Sequence, residues 1–380
     1  MTKRFWDVAS LTKELVQFPS VTPKDEGVQG RLAEWLSSLG FTVYPLPFGD
    51  IRNFYARIGT RSPLFCFAGH TDVVPPGPDE EWSSPPFSGE VRNGQLYGRG
   101  AADMKGAIAA MVSAVAPLVQ EGRLTKRGSM AFLITGDEEG AAVNGTLKVL
   151  DWLREKGEKI DFCLVGEPTS ETRIGDTLKT GRRGSINGRL TLFGTQGHVA
   201  YPDLAKNPLQ ESLPLLQKLA SLQLDQGNES FQPSRLVLTN VNGGTGRDNV
   251  IPDRVEIRFN IRHGTASNNE SIRKKIEALL ESSGLRYTLA LESSGPAFLT
   301  GRGKLVDALV ESVEKVQGYR PAESTTGGTS DARFIAPAGI ETVELGLKNE
   351  TIHKINECVP VADLEALAGI YRSLLENILQ

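Results

Sequence analysis

The stretch PLFCFAGHTDVVPPG, Pro63–Gly77, runs straight from an apolar segment into a histidine and an aspartate two residues apart. Its apolar half has no polar alternation, the texture of a strand covered on both faces. The same texture recurs three times, each time ending in glycine: SMAFLITGDEEG at Ser129–Gly140, DFCLVGEPT at Asp161–Thr169 and ETVELG at Glu341–Gly346. Helical patterns lie between and before these runs. They start near Met104 and Thr146, and two amphipathic helices precede them, one through Phe5, Val8, Leu11, Leu15 and Phe18 and one through Val28, Leu32, Trp35, Leu36 and Leu39. Alternation of this kind predicts an α/β fold around a central, mostly parallel sheet.

From Gly184 to Gly295 the pattern changes. Strand Ile186–Phe193, a helix carrying Leu209, Leu213, Leu216, Leu219 and Leu222, strands Arg235–Val241 and Val255–Arg262, a helix through Ile272, Ile276 and Leu279, and strand Tyr287–Leu291 spell β-α-β-β-α-β. This is a ferredoxin-like α+β unit. The α/β pattern resumes with a helix at Lys304–Gln317, so a domain of 184–295 is expected inside one made of 1–183 and 296–380.

The chain has 380 residues, with 42 Lys and Arg against 46 Asp and Glu, a balance that argues against nucleic acid or an anionic membrane as partner. The three cysteines, Cys66, Cys163 and Cys358, show no CxxC spacing, which excludes a disulfide framework or a cysteine-built zinc ribbon. The opening MTKRFWDVASLTKEL has no apolar core of a secretory signal, and Gly106–Val119 falls short of a membrane span of about 20 residues. A soluble, cytoplasmic protein is expected.

The ionisable residues cluster by position. His70, Glu138, Glu139 and Glu167 directly follow three of the apolar runs, and in an open α/β sheet such strand ends line the ligand crevice. Asp103 in YGRGAADMKG and His353 in NETIHKINE complete a set of two imidazoles and four carboxylates. These groups would repel one another unless cations sit among them, and a pair of divalent metals needs five such ligands. One acid remains, and since Glu138 and Glu139 are adjacent, one can ligate while the other serves as general base. Singly, each has a plainer reading: Asp103 as a helix N-cap, Glu138 and Glu139 as solvated loop acids, His353 as a surface histidine. His263 has no such company and is expected at the surface. GRGAAD departs from a dinucleotide fingerprint at Asp103, and GxxxxGK[ST], HExxH and G-x-S-x-G are all missing.

The motifs GHTDVVPPG, YGRGAADMKG, GDEEG and GEPT, followed in order by GRRGS, GHVAYP, NVIP, GGTSDARF and NETIHKINE, resemble those of the co-catalytic zinc aminoacylase and carboxypeptidase family along essentially the whole chain. The resemblance implies a zinc-peptidase-like catalytic domain and a lid and dimerisation domain. It implies two Zn2+ per subunit, replaceable by Co2+ or Mn2+, with His70 and Glu167 on one ion, Glu139 and His353 on the other and Asp103 shared. It makes Glu138 the general base, Asp72 the residue orienting His70, and His198 a donor to the substrate carbonyl from the other subunit of a homodimer. The later motifs imply amide hydrolysis of N-succinyl-LL-2,6-diaminopimelate, with N-acetylornithine or a dipeptide as alternative substrates. Arg182, Ser185, Asn249, Arg262, Gly328, Thr329 and Asn349 in those motifs become candidates for holding the substrate's carboxylates; choosing Arg182 over Arg183 rests on the resemblance.

Overall fold

A computed structural model describes residues 6–124 and 128–379. Phe5 and the expected domain ends at 1 and 380 lie outside the described residues. The chain divides into two units: Met1–Thr180 with Thr300–Ser324 and Ser330–Gln380, and Gly181–Leu299 with Thr325–Thr329. The borders fall a few residues from the expected ones, and the short Thr325–Thr329 segment groups with the second unit.

The first unit is built on an eight-stranded sheet. Its order is Thr42–Pro45, Phe54–Ile58, Ser129–Thr135, Leu64–His70, Phe162–Val165, Glu341–Glu344, Thr177–Lys179, Ala322–Ser324. The four apolar runs of the sequence are the four adjacent central strands, and all are parallel to one another. Both faces are covered, which is why these runs do not alternate. Phe65 and Phe67 join a core with helices Val8–Val16, Gly106–Gln120, Lys304–Gln317 and Val361–Leu379, and the Phe67 ring lies 5.2 Å from that of Tyr371. On strand Phe54–Ile58, Phe54 and Ala56 join this core, whereas Tyr55 between them meets Trp152 of helix Thr146–Glu155 at 6.1 Å.

Strand Leu64–His70 pairs with Ser129–Thr135 on one side and with Phe162–Val165 on the other. The chain therefore reverses its direction of travel across the sheet at this strand, the switch point where an open sheet leaves a crevice at its carboxyl end. Gly346 belongs to this construction. A Cβ there would lie 2.3 Å from the backbone oxygens of both Gly166 and Glu167, so only glycine lets the two strand ends approach. Helical stretch Ala101–Gln120 is long and apolar enough to cross a membrane by composition, and 83% of its window is buried inside the protein.

The second unit carries a four-stranded antiparallel sheet ordered Arg235–Gly243, Arg254–His263, Gly184–Phe193, Arg286–Gly295. Helices Pro208–Ala220 and Asn269–Glu281 pack on one face through Leu215, Leu219, Ile272, Ile276 and Leu280. The leucine spacing misassigns the first of these faces: Leu213 is 63% exposed while Leu215 is buried. His263 is also buried rather than at the surface, its Nδ1–H donating to the Gly264 carbonyl at 3.1 Å, because the alternating strand extends one residue past Arg262.

Phe67 touches the aromatic rings of Phe65, Phe132 and Tyr371. Phe67→Ala is expected to cost about 3–5 kcal/mol, read as a lowered urea midpoint of the transition that reports the first unit.

Candidate metal centre

His70 is the last residue of its strand, Glu138 and Glu139 follow the neighbouring strand by three and four residues, and Glu167 follows the strand on the other side by two. The switch point thus brings together residues separated by up to about a hundred positions. Asp103 enters from Ala101–Lys105, where Asp103 (φ −125°, ψ 96°) and Met104 (φ −131°, ψ 28°) are not helical and the peptide bond between them is cis. The helix proper begins at Gly106 behind Lys105, with no side-chain cap. Asp103 is therefore free of a capping role, and its carboxylate turns to the histidines.

The two oxygens of Asp103 face different imidazoles: Oδ1 lies 3.2 Å from His70 Nε2 and Oδ2 lies 3.4 Å from His353 Nε2. His353 Nε2 is also 2.8 Å from Glu139 Oε1, and His70 Nε2 is 3.9 Å from Glu167 Oε1. Two groups have ligand atoms within 4.8 Å of one another and could hold a cation: His70, Asp103 and Glu139, and His70, Glu138 and Glu167. Glu138 and Glu139, adjacent in sequence, thus join different groups.

His70 has its tautomer set from behind. Its Nδ1 lies 2.9 Å from the Asp72 carbonyl oxygen, which can only accept, so Nδ1 carries a proton and Nε2 is the nitrogen that faces Asp103 and Glu167, as a donor to Asp103 while protonated and as a lone pair when a cation takes that proton's place. The Asp72 side chain does something other than expected. Its Oδ1 is 3.6 Å from Nδ1, and its two oxygens accept the backbone N–H groups of Glu138 (3.3 Å) and Glu139 (3.0 Å). Asp72 orients the imidazole through its backbone and pins the two-glutamate loop through its carboxylate.

The electrostatics fit a cation. Glu167 Oε1 is buried and, among the described residues, has no hydrogen-bond partner. Burial, with Glu138 and Asp103 nearby, pushes the Glu167 carboxyl well above the ordinary range. Burial likewise lifts Glu138 to about 8 and Asp72 to about 6. Burial would raise Asp103 too, but hydrogen bonds from His353 and His70 hold it far below its usual value. His353 rises to about 10 on its contacts with Asp103 and Glu139. Burial opposes a charge on His70, yet Asp103 and Asp72 push it well upward. Protons here do the work a metal ion would do: they neutralise acids that have no donors of their own.

The remaining candidates divide by unit. Asn349 is exposed in the first unit, its N–H bonded to the Ser170 carbonyl at 3.0 Å. The others lie in the second. Ser185 and Arg262 stand directly opposite each other on paired strands, and Asn260 Nδ2 donates to Ser185 Oγ at 3.1 Å. Arg182 is buried, and its Nη1 donates to the Gly328 carbonyl at 3.3 Å; Gly328 is exposed and Thr329 half-buried. Arg183, the other arginine of GRRGS, is half-buried. His198 pairs with Val250 in a two-strand ribbon, Gly197–His198 with Val250–Ile251, beside exposed Asn249. Its Nδ1 accepts the Ala200 N–H at 3.1 Å, so Nε2 carries the proton and is a donor.

Sequence reasoning missed Arg99, Glu357, Ser330, Asp331 and Glu344, all buried. Asp331 accepts from Thr146 Oγ1 at 2.7 Å, and Ser330 donates to Glu344. All but Glu344 lie inside quoted motifs, but nothing in a one-letter pattern separates an acid that holds a loop from one that faces a crevice.

A model of peptidase family M20/M25/M40 matches residues 66–377. A succinyl-diaminopimelate desuccinylase of Nitrosococcus oceani is 52% identical over 97% of this chain and 98% of its own. One from Thioalkalivibrio sulfidiphilus is 50% identical over 98% and 99%. Among solved structures, a metallo-carboxypeptidase of Sulfolobus solfataricus superposes with TM-score 0.80 at 19% identity, covering 98% of this chain and 99% of its own. A dinuclear metal-binding peptidase of Bacillus subtilis does so with TM-score 0.73 at 17% identity, covering 98% and 97%.

Protons held by raised groups must leave when a cation arrives, so metal uptake by the metal-free protein is expected to release protons. Its apparent affinity should climb with pH through about 8, where Glu138 loses its proton, and on toward about 10 for His353. Calorimetric titrations in buffers of different ionisation enthalpy measure both.

Proposed function

The chain belongs to peptidase family M20/M25/M40, and from that membership we propose that it hydrolyses the amide bond of N-succinyl-LL-2,6-diaminopimelate, giving succinate and LL-diaminopimelate. The observation that carries the reaction type is the Asp103 carboxylate with one oxygen toward each histidine. The relatives' names at half identity over nearly the full chain carry the substrate.

Two Zn2+ per subunit are proposed, with His70 and Glu167 for one, Glu139 and His353 for the other, and Asp103 between them. The same nitrogen and oxygen donors would accept Co2+ or Mn2+. When bound, the ions supply Lewis acidity to the scissile carbonyl and make water a better nucleophile. The protein does the rest. Asp72 fixes the loop from which Glu138 projects, and Glu138 takes the proton of the attacking water and passes it to the departing amine. In the metal-free protein burial lifts its carboxyl to about 8; cations would displace that proton and leave Glu138 free to act as the base. His198, with its proton on Nε2, is set to donate to the oxygen that gains charge in the transition state. We propose that it does so from a second copy of the chain. Support comes from edge strand Arg235–Gly243 of the second unit, where Val237 and Val241 are exposed, and from exposed Leu213 on helix Pro208–Ala220.

Arg182 and Arg262 are proposed to pair with the substrate's carboxylates, aided by Ser185, Asn249, Thr329, Asn349 and the backbone at Gly328. A soluble tricarboxylate substrate suits a cytoplasmic enzyme.

Zinc-loaded protein should hydrolyse N-succinyl-LL-2,6-diaminopimelate and stop when a chelator is added. Preference for N-acetylornithine would keep the reaction type and discard the substrate. Glu138→Gln should retain both ions and lose turnover by roughly 10²–10⁴-fold, seen as a fall in kcat with metal content unchanged. Near-normal kcat in that variant would remove Glu138 from its role.

A further inference from the structure

Arg99 and Glu357 lie inside the motifs that carry Asp103 and His353, yet nothing in the chemistry above uses them. Both are buried, Glu357 completely. Arg99 Nη1 donates to Glu357 Oε2 at 2.6 Å, and the same oxygen accepts the Gly100 N–H at 3.1 Å. Oε1 accepts the Ala102 N–H at 2.8 Å and the Asp103 N–H at 3.2 Å. Both oxygens of Glu357 thus meet only donors, three of them from the backbone of one turn. The Lys105 N–H closes that turn onto the Gly100 carbonyl at 2.9 Å, but Asp103 and Met104 inside it depart from helical geometry, and the Ala102 and Asp103 N–H groups find their acceptor on Glu357.

The other branch of the arginine reaches elsewhere. Arg99 Nη2 lies 3.4 Å from the His353 carbonyl oxygen and 3.5 Å from that of Pro75. His353 has φ +60°, a left-handed conformation that a residue with a Cβ adopts only when its surroundings impose it. Asn356 has φ +61° and is itself held, its Oδ1 accepting the Ser83 N–H at 2.7 Å. One buried ion pair therefore joins the turn bearing Asp103 to the loop bearing His353.

We propose that Arg99 and Glu357 are positioning residues that set the distance and angle between the shared carboxylate of Asp103 and the imidazole of His353, and so govern occupancy of the Glu139–His353 half of the metal centre. The inference rests on the two-metal reading. An ion pair serving stability alone could be exchanged for apolar side chains with little loss. This one could not, since three backbone N–H groups would lose their acceptor and the His353 carbonyl its donor.

Two variants test it. Arg99→Lys keeps a cation opposite Glu357, and with it the fold, but loses the fork that reaches His353. Glu357→Gln keeps shape but sets an amide NH2 against donors. Each is titrated metal-free with Zn2+ in competition with a chromophoric chelator, and each is loaded with Co2+ for its visible and EPR spectra. Wild type should take up two ions. In both variants the first ion should bind within a few-fold of wild type, while the second weakens by roughly 10- to 100-fold, as for other residues that orient a ligand. The Co2+ spectrum of the weaker site should change, and kcat should fall at unchanged KM once metal is saturating. Glu158→Gln, which breaks the pair with Arg57 elsewhere in the unit, serves as a stability control: it should lower Tm and leave both affinities alone. Folded variants that bind both ions as tightly as wild type, with an unchanged Co2+ spectrum, overturn the inference alone. A wild type that takes up one ion overturns the two-metal reading, and the inference with it.

Discussion

Mutual repulsion among buried carboxylates is the constraint around which the first unit is organised. Asp103, Glu138, Glu139 and Glu167 converge at the carboxyl ends of parallel strands, with Asp72, Asp331 and Glu344 buried close by. Two like charges about 4 Å apart repel by roughly 4 kcal/mol at the effective dielectric of a protein near its surface. A few such pairs equal the whole stability of a domain, about 5–15 kcal/mol. The fold therefore requires positive charge at this place. Protons meet part of that need: burial first, and the neighbouring acids after it, hold the carboxyls of Glu138 and Glu167 above their ordinary range. Divalent cations held by the same groups would provide the rest.

The acids separate into two kinds by what faces them. Asp72 accepts two backbone N–H groups, Asp137 accepts those of Val143 (2.8 Å) and Asn144 (2.9 Å), and Glu357 accepts three together with a guanidinium. These carboxylates close loops and have little capacity left for a metal. Among the described residues, Glu167 Oε1 has no hydrogen-bond donor, and the carboxylates of Glu139 and Asp103 face the imidazoles. The loop-closing acids aim the others: Asp72 aims Glu138 and Glu139, and Glu357 aims Asp103. In GDEEG the three consecutive acids thus differ by what faces them: Asp137 closes a loop, while Glu138 and Glu139, with the roles proposed for them, join different ligand groups.

This is also why the sequence discloses some of the site and not the rest. Strand ends are legible because a strand buried on both faces must be apolar throughout, so its first polar residue marks the edge of the sheet. His70, Glu138, Glu139 and Glu167 follow from that single rule, and the ferredoxin-like order of the second unit follows from the strict alternation of Val255–Arg262 and its neighbours. Asp103 is ambiguous in sequence because a cap and a ligand share the same place before a helix; only the non-helical turn decides between them. Arg99 and Glu357 are invisible because their partners are backbone N–H and C=O groups, which every sequence possesses. The ribbon of Gly197–His198 with Val250–Ile251 escapes notice since two-residue strands have no period. Leu213 misleads because an exposed leucine on a helix fits the spacing of a buried one.

The second unit poses a different electrostatic problem, and its solution bears on selectivity. Arg182 is buried, with the Gly328 carbonyl as one acceptor, and Arg262 stands opposite Ser185. A carbonyl answers a guanidinium by hydrogen bonding alone, whereas a carboxylate adds compensation of charge. If these arginines take the substrate role proposed for them, a succinyl group supplies that compensation through its free carboxylate and an acetyl group does not. The advantage then belongs to the succinyl group, which adds a charge-assisted pair that the acetyl group cannot make. Recognition of a polar group by its hydrogen-bond partners discriminates far better than recognition by size: about 10⁴–10⁵ against the 10- to 200-fold that one methylene gives. The succinyl preference would therefore stem from charge pairing in the second unit, while the proposed amide hydrolysis would draw on the crowded charge of the first.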